Sequence, residues 1–186
     1  MRIIAGSAKG SRIFTPKGQD TRPTQDRVRE SLFNMLRGDV EGAEVLDLFA
    51  GSGALSLEAV SRGAAGAVAV DRARDAAACV GRNIAKLGLE ARVQVMNCDW
   101  QKAAGKLCEA GKRFDLVFLD PPYRVTETGA ICESLAALGL LREEALIVVE
   151  HRRGEKPAPG EAFARGDTRR YGDTEISFFR YRPAGE

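Results

Sequence analysis

The sequence predicts a doubly wound α/β fold in which a mostly parallel sheet is flanked by helices. Apolar runs of strand length alternate with helical patterns, near residues 44–49, 66–71, 91–97, 114–120 and 144–150. The first of these runs leads into Gly51-Ser-Gly53 and then into a helical pattern, which is the first βα turn of a Rossmann-like unit. Alternating apolar residues over 170–182 predict a final antiparallel strand or hairpin that completes the sheet.

A small basic hairpin and a helix are predicted ahead of this sheet. Residues 2–5 and 12–15 are short apolar runs on either side of a glycine-containing segment, a pattern typical of a hairpin. Thr24 is predicted to cap a helix whose apolar positions include Val28, Leu32 and Phe33.

Charge is unevenly distributed along a chain whose net charge is only +2. Residues 1–37 contain eight Lys and Arg against three Asp and Glu, residues 38–150 twelve against seventeen, and residues 151–186 eight against six. Basic ends around an acidic centre favour a polyanion bound by the terminal segments, although such charges can also simply keep the ends soluble. We predict that the N-terminal cations contact the phosphates of such a polyanion: Arg2, Lys9, Arg12, Arg22, Arg27 and Arg29.

Length and composition predict one compact domain without a metal site. A chain of 186 residues, 44% of them hydrophobic, can bury a single substantial core. The four cysteines show no C-x-x-C pairing and histidine occurs once, so we expect reduced thiols and neither disulfides nor a metal. The apolar start of the chain is too short for a signal peptide and no run approaches a membrane span, which favours a cytoplasmic protein.

The glycine loop and the strand ends that follow it predict a nucleotide-like ligand. Gly51 and Gly53 let the backbone approach a ligand closely, and the next helix offers free N–H groups at its N terminus. Asp71 ends the second strand, where a carboxylate typically holds ribose hydroxyls. Asp99 ends the third strand and, with Trp100 beside it, can contact an adenine ring; the alternative is that Asp99 caps the next helix.

The segment Asp120-Pro-Pro-Tyr123 follows the fourth apolar run. Its two prolines remove two backbone donors and fix φ, so the chain leaves the sheet rigidly at the edge where open α/β sheets bind ligands. An exocyclic amine suits this place, because the Asp120 carboxylate and the Pro121 carbonyl can accept its two hydrogens while Tyr123 stacks on the ring. A segment of this kind on its own is equally compatible with a rigid loop that begins with a capping Asp.

The order and spacing of these motifs resemble the class I S-adenosylmethionine-dependent methyltransferases. The resemblance implies that S-adenosylmethionine is the cofactor and that the following residues bind it: Asp47, Phe49, Gly51, Gly53, Asp71, Asp99 and Trp100. The last motif resembles the amino-methylating variant of the family's catalytic segment, written [D/N]-P-P-[Y/F]. It implies a catalytic site made of Asp120, Pro121, Pro122 and Tyr123.

The two ends of the chain are similar to the bacterial 16S rRNA guanine-N2 methyltransferases. The likeness is carried by residues 2–6, 10–13, 22–24, 27–34 and 171–179. It implies methyl transfer to the exocyclic amine of a guanine in small-subunit rRNA, within assembled or partly assembled subunits, and we expect the enzyme to be a monomer. With it we expect an RNA-binding extension over 1–37 and a methyltransferase domain over 38–186.

Two alternatives stay open on the sequence alone. The tetrapeptide does not separate guanine from adenine, so methylation of adenine N6 in DNA or RNA, or of a glutamine amide, is compatible with it. A non-catalytic RNA-binding assembly factor that has kept the fold is disfavoured, because the glycine loop and the tetrapeptide are both intact. Retention of S-adenosylmethionine and nucleoside analysis of the product would separate the three.

Overall fold

The computed structural model describes residues 1–16, 23–122 and 125–183, with the side chains of all of these except residues 23–25. The strands are β1 (Glu44–Asp47), β2 (Gly66–Val70), β3 (Val93–Met96), β4 (Phe114–Leu119), β5 (Leu141–Arg152), β6 (Phe163–Tyr171) and β7 (Thr174–Tyr181). The helices are α1 (Pro23–Met35), α2 (Arg37–Val40), α3 (Ala54–Ser61), α4 (Arg74–Leu87), α5 (Trp100–Glu109) and α6 (Thr128–Ala137). Within these residues no helix combines the length and hydrophobicity needed to cross a membrane.

The strands form one sheet in the order β3-β2-β1-β4-β5-β7-β6. Strands β1 to β5 pair in parallel, whereas β7 is antiparallel to β5 and β6 is antiparallel to β7. The predicted α/β fold is therefore confirmed, and the alternating C-terminal segment forms a hairpin. The strand order reverses between β1 and β4, and ligands bind at such a switch point, outside the carboxyl ends of the strands.

Helices cover both faces of the parallel strands. Apolar residues of α1, α2, α3 and α4 pack on one face, and those of α5 and α6 pack on the other. Neighbouring residues of β4 alternate between the two cores, with Phe118 in the first and Leu119 in the second, because side chains along a strand point to opposite faces. A strand buried on both faces reads as a continuous apolar run, which is why these elements were predictable.

The N-terminal segment forms the predicted hairpin with a single bridge rather than two strands. Arg2 and Arg12 are antiparallel partners, and the Ile3 N–H donates to the Ser11 carbonyl at 2.9 Å. The helix after it begins at Pro23, earlier than the predicted cap at Thr24. Proline is favourable in the first helical turn because its missing N–H would have no intrahelical acceptor there.

This segment docks on α3 through a buried carboxylate. Glu58 is fully buried and accepts the backbone N–H groups of Ile4 at 2.8 Å and Ala5 at 3.0 Å. Its charge is balanced by Arg62, whose Nε lies 2.7 Å from Oε1. Ile3 and Phe33 are also fully buried, in the same core as α3 and α4. Residues 1–37 therefore share a core with the rest of the chain. The predicted division at residue 37, with RNA binding on one side and methyl transfer on the other, stays a proposal.

Arg29 corrects one prediction. Its side chain is only 5% exposed, and it pairs with Asp26 at 3.1 Å and with Glu58 at 3.7 Å. Arg29 is one helical turn from the buried residues Leu32 and Phe33, so it belongs to the inner face of α1. The predicted contact with RNA phosphates is wrong for this residue, whose guanidinium holds the extension against α3.

Candidate active site

A cleft of about 1610 Å³ opens at the carboxyl edge of the sheet, where the strand order reverses. Its walls come from the segments that follow β1, β2, β3 and β4, from α6, and from the β6–β7 hairpin. Most of the residues predicted for the cofactor and catalytic sites line it: Phe49, Gly51, Asp71, Asp99, Trp100, Asp120, Pro121 and Pro122. Two distant parts of the sequence, the glycine loop and the proline segment, are therefore parts of one site.

The glycine loop turns the chain from β1 into α3. Gly51 and Gly53 have φ angles of 56° and 78°, in the left-handed region that glycine adopts without strain. A Cβ at Gly53 would lie 3.1 Å from the Val80 side chain, so the second glycine also permits close packing of α3 on α4. The loop thereby brings backbone N–H groups and the positive end of α3 to the cleft.

Two backbone N–H groups fix the orientation of the Asp71 side chain. One carboxylate oxygen accepts the N–H of Gly51 at 2.9 Å and the other accepts the N–H of Ala73 at 2.8 Å. Each oxygen keeps a further lone pair, so the carboxylate can also accept two hydroxyl hydrogens. The Asn97 side chain donates to the Asp71 carbonyl at 2.9 Å and ties the end of β2 to the end of β3.

Asp99 is the helix cap of the alternative interpretation, and its contact with an adenine ring stays a prediction. Its Oδ1 accepts the backbone N–H of Lys102 at 2.9 Å, which makes it the N-cap of α5. The residue is nevertheless exposed and lines the cleft, so the cap leaves its second oxygen facing outward to accept from a ligand. Trp100 beside it is half-buried and packs on the core below.

Asp47 and Gly53 do not line the cleft, and their predicted contact with the cofactor stays a prediction. Asp47 is 1% exposed, and both carboxylate oxygens lack a hydrogen-bond partner within the described part of the chain. Burial and then the charge of Asp120 raise the pKa of Asp47 to about 7, although polar groups of Ser56 and Phe49 lie near enough to oppose the rise. An unpaired buried acid directly behind the loop suits a positively charged ligand in front of it.

The proline segment presents two acceptors without partners. The Pro122 carbonyl accepts the N–H of Val125 at 2.8 Å and closes a turn, whereas the Pro121 carbonyl and the Asp120 carboxylate accept no hydrogen bond from any described residue. Asp120 is exposed inside the cleft, but the protein around it excludes enough water to raise its pKa to about 6. Tyr123 lies outside the described residues, so its stacking on the target ring stays a prediction.

Glu150 belongs to the same site and was not predicted. Leu119 of β4 pairs with Val149 of β5, so Glu150 lies on β5 at the level of Asp120. It is half-buried and lines the cleft, and burial followed by the charge of Asp120 raises its pKa to about 8. The only signal in the sequence is a charged residue at the end of an apolar run, which is common at strand ends.

Most of the residues that are predicted to contact RNA are exposed on the surface. Arg2, Lys9, Arg12 and Arg27 are exposed, and among the residues that the structure describes only Arg2 of these four has an acid within 4 Å, Asp26 at 3.9 Å. Arg22 lies outside the described residues, and its role stays a prediction.

An exposed aromatic residue of the N-terminal segment, Phe14, was also missed. Phe14 is 44% exposed, and the charged groups of Arg82 and Lys86 lie 5.0 Å and 4.9 Å from its ring centroid. The Asn83 side chain fixes Phe14 by accepting its N–H at 2.7 Å and donating to its carbonyl at 2.9 Å, and it also donates to the Ser52 carbonyl in the glycine loop at 2.9 Å. An exposed ring among cations is a typical platform for a nucleic-acid base.

Comparison with known proteins agrees with this geometry. The family model described as "Conserved hypothetical protein 95" matches residues 1–180. Ribosomal RNA small subunit methyltransferase D of Escherichia coli (strain K12) is 41% identical over 153 residues, which are 81% of this chain and 74% of that protein. The chain belongs to the small subunit methyltransferase D family.

Two other members share almost the whole length of the chain. YlbH of Bacillus subtilis (strain 168), named as a candidate rRNA methyltransferase, is 37% identical over 183 residues, 98% of this chain and 100% of that protein. The solved structure of yhhF from Escherichia coli, a candidate methyltransferase, superposes with a TM-score of 0.85 at 32% identity and covers 99% of both chains. The match to these two proteins therefore includes the N-terminal segment and the C-terminal hairpin as well as the central sheet.

The cleft of this family member fits S-adenosylmethionine. The glycine loop allows a close backbone approach, and Asp71 has lone pairs free for ribose hydroxyls. Asp47 has a pKa of about 7 and is partly protonated at neutral pH, so a cationic ligand such as the sulfonium would favour its ionised form. In the described residues no cluster of three or more His, Cys, Asp or Glu is arranged to hold a metal ion.

Proposed function

We propose that this protein transfers a methyl group from S-adenosylmethionine to the exocyclic N2 amine of a guanine in 16S rRNA of the small ribosomal subunit. The observation that carries the proposal is the pair of unpartnered acceptors, the Asp120 carboxylate and the Pro121 carbonyl, in one cleft with the glycine loop. Family membership supports the methyl transfer, and the names of the relatives support ribosomal RNA as its target.

The cofactor would be held along the edge of β1, β2 and β3. Asp71 would accept the two ribose hydroxyls, and Asp99 with Trp100 would border the adenine ring. Phe49 and Gly51 would contact the remainder from the loop. When bound, S-adenosylmethionine supplies a methyl group that its sulfonium already activates for transfer, so the protein has to orient the acceptor nitrogen rather than activate the donor.

Asp120 and Pro121 would orient that nitrogen. Guanine N2 is a weak nucleophile because its lone pair is delocalised into the ring. If the carboxylate and the carbonyl each accept one amine hydrogen, the nitrogen becomes more pyramidal and its lone pair points to the methyl group. With a pKa of about 6, Asp120 is mostly ionised at pH 7 and can take up the proton that the amine loses as the new N–C bond forms.

The N-terminal segment and the Phe14 patch would bind the RNA. The exposed cations Arg2, Lys9, Arg12 and Arg27 offer phosphate contacts, and Phe14 offers a surface for a stacked base. The target base has to leave its stack to reach the cleft, and stacking on Tyr123 would repay part of that cost. We propose that the enzyme acts as a monomer, in the cytoplasm, on assembled or assembling small subunits.

Single-turnover methylation tests the proposal. Small subunits from cells that lack the enzyme would be mixed with purified protein and S-adenosylmethionine carrying a labelled methyl group, and the rRNA would then be digested to nucleosides. We expect label in N2-methylguanosine at one position, which mass mapping of the rRNA locates. Label in N6-methyladenosine, or only in protein, would contradict the proposal, and failure to bind S-adenosylmethionine in titration calorimetry would exclude an enzyme of this kind.

A further inference from the structure

We infer that Glu150 selects guanine by accepting a hydrogen bond from the N1–H of the target base. This inference rests on the proposed function and adds a specificity-determining residue to it. The proline segment alone does not distinguish the two purines, because a pair of acceptors for an exocyclic amine binds guanine and adenine equally well. Glu150 would supply this discrimination.

The position of Glu150 follows from the register of the sheet. Leu119 and Val149 are parallel partners, so Asp120, which directly follows β4, lies level with Glu150 on β5, and such neighbouring strands lie about 4.8 Å apart. Both residues line the cleft. Within the described residues the Glu150 carboxyl group makes no hydrogen bond or ion pair, so its polar atoms are available to a ligand.

The face on which Glu150 lies is also the one that meets the RNA-binding segment. Val148, two residues earlier on β5, packs in the core with α1 and the N-terminal segment. Because side chains two apart on a strand share a face, Glu150 is directed to that side of the sheet. Its partner on β7 is Ile176, which lines the cleft as well. A base that arrives from the RNA side therefore meets Glu150 and Asp120 together.

The hydrogen-bonding edge of guanine matches two adjacent acids. O6, N1–H and the N2 amine stand in a row on that edge, so a base whose amine is held by Asp120 and Pro121 offers its N1–H to the neighbouring group. Adenine has an acceptor at N1 in place of this donor. A neutral Glu150 carboxyl group beside Asp120 therefore makes two hydrogen bonds to guanine and at most one to adenine, and an ionised carboxylate is repelled by the adenine N1.

The protonation state of Glu150 also suits O6, the remaining group on the hydrogen-bonding edge of guanine. With its pKa raised to about 8 by burial and by Asp120, the acid is mostly neutral at pH 7. A neutral carboxyl group can accept from N1–H through its carbonyl oxygen and donate from its hydroxyl to O6. Asp120, whose pKa is about 6, stays mostly ionised and free to accept from N2.

A substrate analogue isolates this contact. Once mapping has located the target, small-subunit rRNA would be prepared with guanine or with 2-aminopurine at that nucleotide and incorporated into subunits. 2-Aminopurine keeps the amine that is methylated but lacks both N1–H and O6. Single-turnover rates on the two substrates would be measured for the parent, for Glu150→Leu and for Glu143→Leu, which makes the same change at an exposed position of the same strand.

We expect the parent and Glu143→Leu to prefer guanine by about 10- to 100-fold, and Glu150→Leu to treat the two bases alike within about threefold. The ratio does not depend on how much of each preparation is active, and S-adenosylmethionine affinity serves as the check on folding. The inference is overturned if Glu150→Leu keeps the parental ratio or if the parent does not distinguish the bases. A parent that methylates no guanine would overturn the proposed function itself.

Discussion

Replacing Asp47 with Asn should stabilise the protein at alkaline pH and leave it nearly unchanged in acid. Asp47 is 1% exposed, and its pKa rises from 3.8 to about 7 on folding. Below pH 3.8 the group is protonated in both states and burial costs little. Between pH 4 and 7 the unfolded chain ionises while the folded protein keeps its proton, so stability falls as the pH rises, and it levels off above pH 7.

The size of the effect follows from the shift. A difference of about three pKa units corresponds to about 4 kcal/mol, since one unit is worth 1.36 kcal/mol. Asn is neutral at every pH, so the gain of Asp47→Asn over the parent should grow by up to about 4 kcal/mol between pH 4 and pH 8. At this chain length each kcal/mol moves the melting temperature by about 2–4 °C.

Urea unfolding of both proteins at intervals between pH 4.5 and 8.5 measures this difference directly. Part of the shift comes from the charge of Asp120, so the same comparison in an Asp120→Asn background should show a smaller pH dependence. A difference between Asp47→Asn and its parent that does not change with pH would refute the reasoning. It would mean that Asp47 is ionised and paired when folded.

Four further variants test the site, the proposed RNA surface and the role of Arg29. Asp71→Ala should weaken S-adenosylmethionine binding by about 1.5–3 kcal/mol in titration calorimetry, because two charge-assisted hydrogen bonds are lost; Asp75→Ala on the same cleft wall is the control, and unchanged affinity would refute the assignment. Asp120→Ala should keep cofactor affinity but slow single-turnover methylation about 10²- to 10⁴-fold, and a parental rate would show that the amine is held elsewhere. Replacing Arg2, Arg12 and Arg27 with Ala should flatten the salt dependence of RNA binding by about one unit of slope per lost phosphate contact. Arg29→Ala should instead lower the free energy of unfolding by about 3 kcal/mol.

Local sequence patterns were sufficient to predict the strands and helices and the residues that directly follow the strands. The apolar runs identified β1, β2, β4 and the centre of β5 because these stretches are buried on both faces. Asp71 and Asp120 were identified because each directly follows such a run. Their convergence follows from the fold, since the carboxyl ends of parallel strands meet at one edge.

Features that depend on packing between distant segments were not predictable in the same way. Glu150 joins the site only through the register that sets Leu119 beside Val149. Asp47 and Asp71 both end strands and look alike in the sequence, yet one is enclosed behind the glycine loop and the other lines the cleft. Arg29 is a partial exception, because its spacing from Leu32 and Phe33 already places it on the inner face of α1.

The docking of the N-terminal segment limits how freely it can be exchanged between enzymes. A Cβ at Gly6 would lie 1.8 Å from the Ser61 carbonyl oxygen, and Glu58 and Asn83 bind the backbone of the segment rather than its side chains. The exposed positions of the segment can therefore vary, whereas Gly6, the buried Ile3 and Ile13 and the path over α3 and α4 stay fixed. Grafting the segment onto another methyltransferase would require that the recipient carry the equivalents of Glu58, Ser61 and Asn83 on its own helices.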